Sequence, residues 1–454
     1  MNPLTLLQIQ DLMGNPSTTS QLGSQVISGI CVDSRLLLPN QLFFALKGAK
    51  SDGHSFLHEA IARGACAAVV SKESQVQSNE IPLIHVDDPL SALQTLAKNV
   101  LESRETKVVA VTGSLGKTTT KEFITTLLSQ KYHVVGSPGN SNSQIGLPLA
   151  ILNHSRGNEE YLILEMGMTH PGQLKNLIQI APPDIAVITT VELVHACNFD
   201  SLQDIVKAKS EILGHPKTRF GIIPRDVEGF QAMSQSGFCK KISFSVKNSN
   251  ADYYLELHNN KVQIVAPDGT VVLTAPKIPG KHNLHNFLAA VAVARSLNLS
   301  WEEIQDGIPV LALPEKRMQQ VDMKGIIFIN DSYNASAVSM KAALESLPQP
   351  KHGGKKIAVL GEMRELGKFS DSCHREVGEA ALKHVDQVLC FNSGCKPIVD
   401  IWEDAKRPVG LYTDFEELVT ALKGTVKAGD VVLLKGSNGN GLWRLLPALE
   451  MEEG

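Results

Sequence analysis

A chain of 454 residues exceeds one hydrophobic core, and about three domains are expected. Its formal net charge of −4 argues against a nucleic-acid partner, which calls for a basic surface. With 43% hydrophobic and 20% charged residues it reads as a soluble globular protein, and no apolar run approaches the roughly 18 residues of a membrane span.

The first segment, 1–103, mixes short strands ("ICVDSR", "LFFAL", "AAVVS") with the helical "SFLHEAIARGA". The second, 104–312, alternates strand and helix: "YLILEMG", "PGQLKNLIQIA", "DIAVITTV". Its later part, Asp252 to Thr274, has β character with a turn at "PDGT", and it closes on the helical "NLHNFLAAVAVARSL". The third, 313–454, repeats the alternation from "GIIFIND" to "DVVLLKG". The expected fold is α/β in three domains: a small N-terminal α/β domain, a central parallel-sheet domain of P-loop ATPase type, and a C-terminal Rossmann-like, doubly wound domain. The start, "MNPLTLLQIQ", has no basic flank or signal-peptide core, and the seven cysteines form no CxxC pair. A cytoplasmic protein with reduced thiols is expected.

Chemistry first shows at "VTGSLGKTTT", Val111 to Thr120. The long phosphate-loop pattern wants a glycine at position 111, but the nearer glycine is Gly113. The context is still that of a phosphate loop. The apolar run 107–111 reads as a buried strand, and from Lys117 the residues Phe123, Ile124, Leu127 and Leu128 share one helical face. A Gly-rich turn between them aims free N–H groups and the positive helix end at one point. Lys117 adds charge for terminal phosphates, and a Thr hydroxyl suits Mg²⁺.

Three downstream residues are candidates beside that loop. Glu165 ends a strand, so its carboxylate should emerge at the carboxyl edge of the sheet, where it can hold Mg²⁺. His195 follows the next strand. Lys209 lies fourteen residues further on in the helical "IVKAKSEI", with Lys207 as a rival. Asn283 and Asn286 in "HNLHN" suit either an adenine edge or a helix cap.

The ordered motifs "TGSLGKTTTKE", "GNSNSQIGLP", "LEMGMTHPGQL", "VHACNF", "GKHNLHNFLAA", "NDSYNAS" and "LGEMRELG" resemble the Mur ligases, the ATP-dependent amino-acid ligases of peptidoglycan synthesis, over nearly the whole chain. Their phosphate loop is the short Gly-x-x-Gly-Lys form. The resemblance implies ATP and Mg²⁺, an acyl-phosphate route, and UDP-N-acetylmuramoyl-tripeptide and D-alanyl-D-alanine as substrates of a monomer. It assigns Gly113, Ser114, Gly116, Lys117, Thr118 and Thr119 to the phosphates. Thr118 and Glu165 match a first metal site; His195 and a carbamylated Lys209 match a second. Lys117, Glu165, His195 and Lys209 form the implied catalytic set. Asn283 and Asn286 face adenine, and Arg317, Asp331 and Tyr333 reach the nucleotide from the third domain. Ser34, Arg35, Asn140 and Asn142 match contacts to the uridine nucleotide.

Two departures stand out. Asn438 in "LLKGSNGNG" replaces the usual arginine, and "GIIPRDVEGF" replaces an Asn-rich segment. Alternative readings are a ligase adding the third peptide residue, folylpolyglutamate synthase, or a nucleotide-dependent switch.

Overall fold

The computed structural model describes residues 4–14, 24–48, 51–192, 198–351 and 353–450. The six described cysteines are free and buried. No described helix is long and apolar enough to cross a membrane.

The first unit is a parallel four-stranded sheet, in the order Gly29–Cys31, Gln41–Phe44, Ala67–Ser71, Leu83–Val86. The strand expected at "ICVDSR" stops at Cys31. The Asp33 carboxylate accepts the Arg35 N–H at 3.1 Å and turns the chain into the 3-10 turn Ser34–Leu36. Such Asx turns compete with extended backbone. The helix Pro89–Glu102 begins where Asp88 accepts the N–H groups of Leu90 and Ser91, with proline in its first turn. Its Leu93, Leu96, Ala97 and Val100 enter a core that runs on into the central unit through Leu147 and Ile151.

The central sheet has nine strands, in the order Gly269–Thr274, Lys261–Ala266, Tyr253–His258, Lys240–Ser245, Phe220–Pro224, Ile185–Ile188, Lys107–Thr112, Tyr161–Glu165, Val134–Gly136. The first three form an antiparallel meander, and the remainder are parallel. The turn at "PDGT" places Gly269 at φ 126, and a second turn has Asn259 at φ 54. One sheet face packs the helices Lys117–Leu128 and Lys281–Ser296 through Phe123, Ile124, Phe287 and Val291. The other carries Gly146–His154, Gln173–Ile180 and Leu202–Ser210.

The third unit is a six-stranded sheet covered on both faces, parallel except for its edge strand Gln319–Met323. That edge strand was not expected, because "QQVDM" lacks an apolar alternation. It exists because Lys324 and Gly325, at φ 53 and 79, turn the chain back tightly.

Asn153 fastens the first unit to the second. Its Nδ2 donates to the Ile30 carbonyl and its Oδ1 accepts the Ile30 N–H, both at 2.9 Å, so one amide completes the sheet edge. Asn153→Ala leaves both backbone groups unpaired at a packed joint, with an expected loss of about 1–3 kcal/mol in urea unfolding. A loss within measurement error would show that water replaces the amide.

Candidate active site

The strand Lys107–Thr112 sits between Ile185–Ile188 and Tyr161–Glu165, and the site lies beyond its carboxyl end. Gly113 has φ 151, and a Cβ there would run into the Thr189 hydroxyl, which donates to the Leu115 carbonyl. Gly116, at φ 79, starts the helix with no side-chain cap, and a Cβ there would strike Asn286. Both glycines are therefore required by backbone and neighbours alike. The uncapped N–H groups remain for an anion. Ser114 works differently from a phosphate donor. Its hydroxyl exchanges hydrogen bonds with the Glu192 backbone, both 2.9 Å, and so ties the loop to the next strand's exit.

Glu165, 1% exposed, is held from two sides. The Thr118 hydroxyl donates to Oε2 at 2.8 Å, and Asn142 Nδ2 donates to Oε1 at 2.7 Å. The half-buried Lys117 folds back, its Nζ donating to the Gly113 carbonyl at 3.0 Å. Burial first, and Arg317 after it, push its pKa down against the opposing pull of Glu165. Lys209 is 2% exposed and lines the same cavity, while Lys207 is exposed. The Lys209 ammonium has no hydrogen bond or ion pair among the described residues. Burial, aided by Lys117, puts its pKa well below the usual lysine range. His195 lies outside the described residues.

The third unit closes over the loop. Arg317 Nη2 donates to the Thr118 hydroxyl at 3.0 Å, and the guanidinium lies 4.3 Å from the centre of the Tyr333 ring. Asp331 pairs with Lys435 at 2.6 Å and accepts the Met318 N–H. Asn283 and Asn286 are buried and bonded to each other at 3.1 Å; they sit inside the helix whose N-cap is Gly280, and neither caps it. Apart from Thr118, which lies just behind the wall, these residues, with Asn140 and Thr119, line one cavity of about 1200 Å³.

Three family descriptions match the chain: "Mur ligase family, catalytic domain" over 26–100, "Mur ligase middle domain" over 111–294, and "Mur ligase, glutamate ligase domain" over 316–438. A UDP-N-acetylmuramoyl-tripeptide–D-alanyl-D-alanine ligase of Bacillus subtilis (strain 168) is 34% identical over 96% of both chains. This chain belongs to the Mur ligase family. The enzyme of the same name from Escherichia coli (strain K12) is 31% identical over 99% of each. A crystal structure of MurF from Acinetobacter baumannii matches with a TM-score of 0.86 at 27% identity, covering 99% of both chains. MurF ligase from Thermotoga maritima in complex with ADP matches at 0.79 and 31%, covering 93% of this chain and 97% of that one. E. coli FolC, at 18% identity and a TM-score of 0.62, shares the fold.

Relative to the Mur ligase expectation, Ser34 and Arg35 stand apart from the cavity. The Ser34 hydroxyl donates to Glu59 at 2.8 Å, and exposed Arg35 pairs with Asp33 at 2.6 Å. Residues missed at the sequence level include Lys435, which ends a buried strand just as Glu165 does, and His282, which lines the cavity behind Gly280. The first carried a readable signal; the second had none. Asn438 lines the cavity too, and Arg364 lies across neighbouring Gly439, so a guanidinium stands near Asn438.

A buried lysine with no partner among the described residues costs stability. Lys209→Met, of similar length, is expected to raise the unfolding free energy by about 1–3 kcal/mol in bicarbonate-free buffer. An unchanged or lowered urea midpoint contradicts that.

Proposed function

We propose that this chain is an ATP-dependent amide ligase that adds D-alanyl-D-alanine to UDP-N-acetylmuramoyl-tripeptide, releasing ADP and phosphate and giving the pentapeptide-bearing nucleotide of peptidoglycan synthesis. One observation carries the reading: a single cavity joins the phosphate loop to Glu165, Asn142 and Lys209, with Arg317 of the third unit on the same Thr118 hydroxyl. A switch needs no second metal site beside a substrate carboxylate, which Lys209 with His195 would supply.

The loop N–H groups, Lys117 and Arg317 would hold the β- and γ-phosphates. Asn283 and Asn286 would read adenine, and Asp331 the ribose. Asn140 and Asn142 would hold the muramoyl peptide, with Ser34 and Arg35 of the first unit on its uridine part. The γ-phosphoryl group passes to the peptide carboxylate, the dipeptide amine attacks the acyl phosphate, and phosphate leaves. A closed cavity keeps water from the acyl phosphate. The Thr118 hydroxyl and Glu165 carboxylate are hard oxygen donors 2.8 Å apart, a set that fits Mg²⁺. Lys209, carbamylated, with His195 would hold a second ion. Burial favours the neutral amine of Lys209, the form that takes up carbon dioxide. Such metals would offset repulsion between triphosphate and carboxylate. We place the domain limits at 1–103, 104–312 and 313–454, and the reaction, with its nucleotide substrates, in the cytoplasm.

Mass spectrometry of the product from UDP-N-acetylmuramoyl-tripeptide, ATP and D-alanyl-D-alanine tests the reading. Absence of the pentapeptide nucleotide, with product from glutamate or diaminopimelate instead, overturns it. Lys117→Ala should abolish ATP turnover and leave uridine-nucleotide binding intact by calorimetry; joint loss of both in folded protein contradicts the division of sites. Arg317→Ala should raise phosphate release relative to peptide product several-fold, and an unchanged ratio counts against a role in closing the site.

A further inference from the structure

Lys121 is the fifth residue of the phosphate-loop helix and is wholly buried, at 0% exposure. Taking an ammonium out of water costs several kcal/mol unless every donor is met. Here three acceptors meet it: the Ser137 carbonyl, the Gly139 carbonyl at 3.0 Å and Glu122 Oε1 at 3.0 Å. Two of the three belong to the loop 137–142. That loop is tied to the strand of Glu165 at Ser137, whose hydroxyl accepts the Glu165 N–H at 3.2 Å and whose N–H reaches the Ile163 carbonyl at 2.8 Å. At its far end Asn142 donates to Glu165 Oε1, and its carbonyl accepts the Gly167 N–H at 2.8 Å. Glu165 Oε2 returns to Thr118, three residues before Lys121 on the same helical face. The bonds form a closed ring that leaves the helix at Lys121 and comes back to it at Thr118.

We propose that Lys121 is a positioning residue. It sets the 137–142 loop so that Asn142 holds the Glu165 carboxylate, and it thereby locks the muramoyl-peptide loop to the phosphate edge of the nucleotide site. Lys121 touches no substrate; it acts through Asn142. An apolar side chain would fill the same space at lower desolvation cost but would leave the two loop carbonyls without a donor. The loop would then settle away from Glu165, and displacements of about 1 Å at such sites cost on the order of 10²-fold in rate.

The inference rests on the ligase reading above, so wild-type product formation is measured first. Lys121→Met should lower kcat at least tenfold and raise KM for the nucleotide-linked peptide, while ADP affinity by calorimetry changes less than threefold. Because Lys121 acts through Asn142, Lys121→Met/Asn142→Ala should be no slower than Asn142→Ala alone. Multiplicative losses in the double variant, with wild-type ligation intact, overturn the proposal and leave the ligase reading standing. Hydrogen exchange gives a readout independent of turnover: Lys121→Met should speed exchange of the amides of residues 139–142 and spare those of the helix Gln173–Ile180. Equal acceleration in both would mark a general loss of stability and overturn the proposal. If Lys121→Met does not fold, Lys121→Arg serves, since it keeps the charge but misplaces the donors; an unaltered peptide KM in that variant overturns the proposal.

Discussion

The site depends on one buried carboxylate. Glu165 is 1% exposed at the end of a central strand, and both its oxygens are occupied by donors from different parts of the chain. Thr118 comes from the nucleotide helix and Asn142 from the loop after the edge strand. A carboxylate so placed fixes two elements relative to each other more firmly than packing does, because charge-assisted hydrogen bonds are directional and their loss leaves a buried charge unpaired. Arg317 joins through the same Thr118 hydroxyl, so the third unit's reach into the cavity is referenced to that carboxylate as well.

Around it the charges are unbalanced in a useful way. Lys117, Lys209 and Arg317 converge on the loop, and their mutual repulsion, added to burial, depresses the two lysines. Lys435 reaches the same cavity with its counter-ion in place, Asp331 at 2.6 Å. A polyanion entering between the first three would relieve repulsion already present in the fold, so part of its binding energy is stored before it arrives. Free helix N–H groups behind Gly116 point the same way.

The sequence carried the architecture where periodicity was strong. The loop strand, its helix and the strand ending at Glu165 lie where the apolar patterns put them. It failed at "ICVDSR", where a single Asp side chain diverts the backbone, and at the edge strand Gln319–Met323, which is defined by a turn and a partner rather than by its own residues. At the site, spacing placed glycines and strand ends well, but the preference for Lys209 over Lys207 came from the Mur ligase resemblance, and helical periodicity alone did not rank the lysines. Lys121, Lys207 and Lys209 all sit on helices that read as amphipathic, yet two are buried and one is exposed. Which lysine is buried follows from tertiary packing around the helix, and a local pattern does not contain it. Ser34 and Arg35 show the complementary limit: a family match names them, while the structure keeps them outside the main cavity, bonded to Glu59 and Asp33.

The two joints between units are built from different materials. The first unit shares an apolar core with the central one, running from Leu93 and Leu96 to Leu147 and Ile151, and Asn153 bonds across it. Opening that joint would expose buried hydrocarbon at roughly 25 cal/mol per Å². The third unit keeps its own two cores, and among partly buried side chains Leu313 packs against both its core and the central one. Its contact with the phosphate loop is polar, through Arg317 and Thr118, and Lys316 and Met318 beside the joint hold positive φ angles of 60 and 50. Polar contacts that water can replace cost little to break compared with a shared core. The chain is thus stiff where the helix Gly146–His154 meets the first unit and inexpensive to open where the third unit covers the phosphate loop. That is the arrangement required if large substrates must enter a cavity that has to be sealed once the phosphoryl group is transferred.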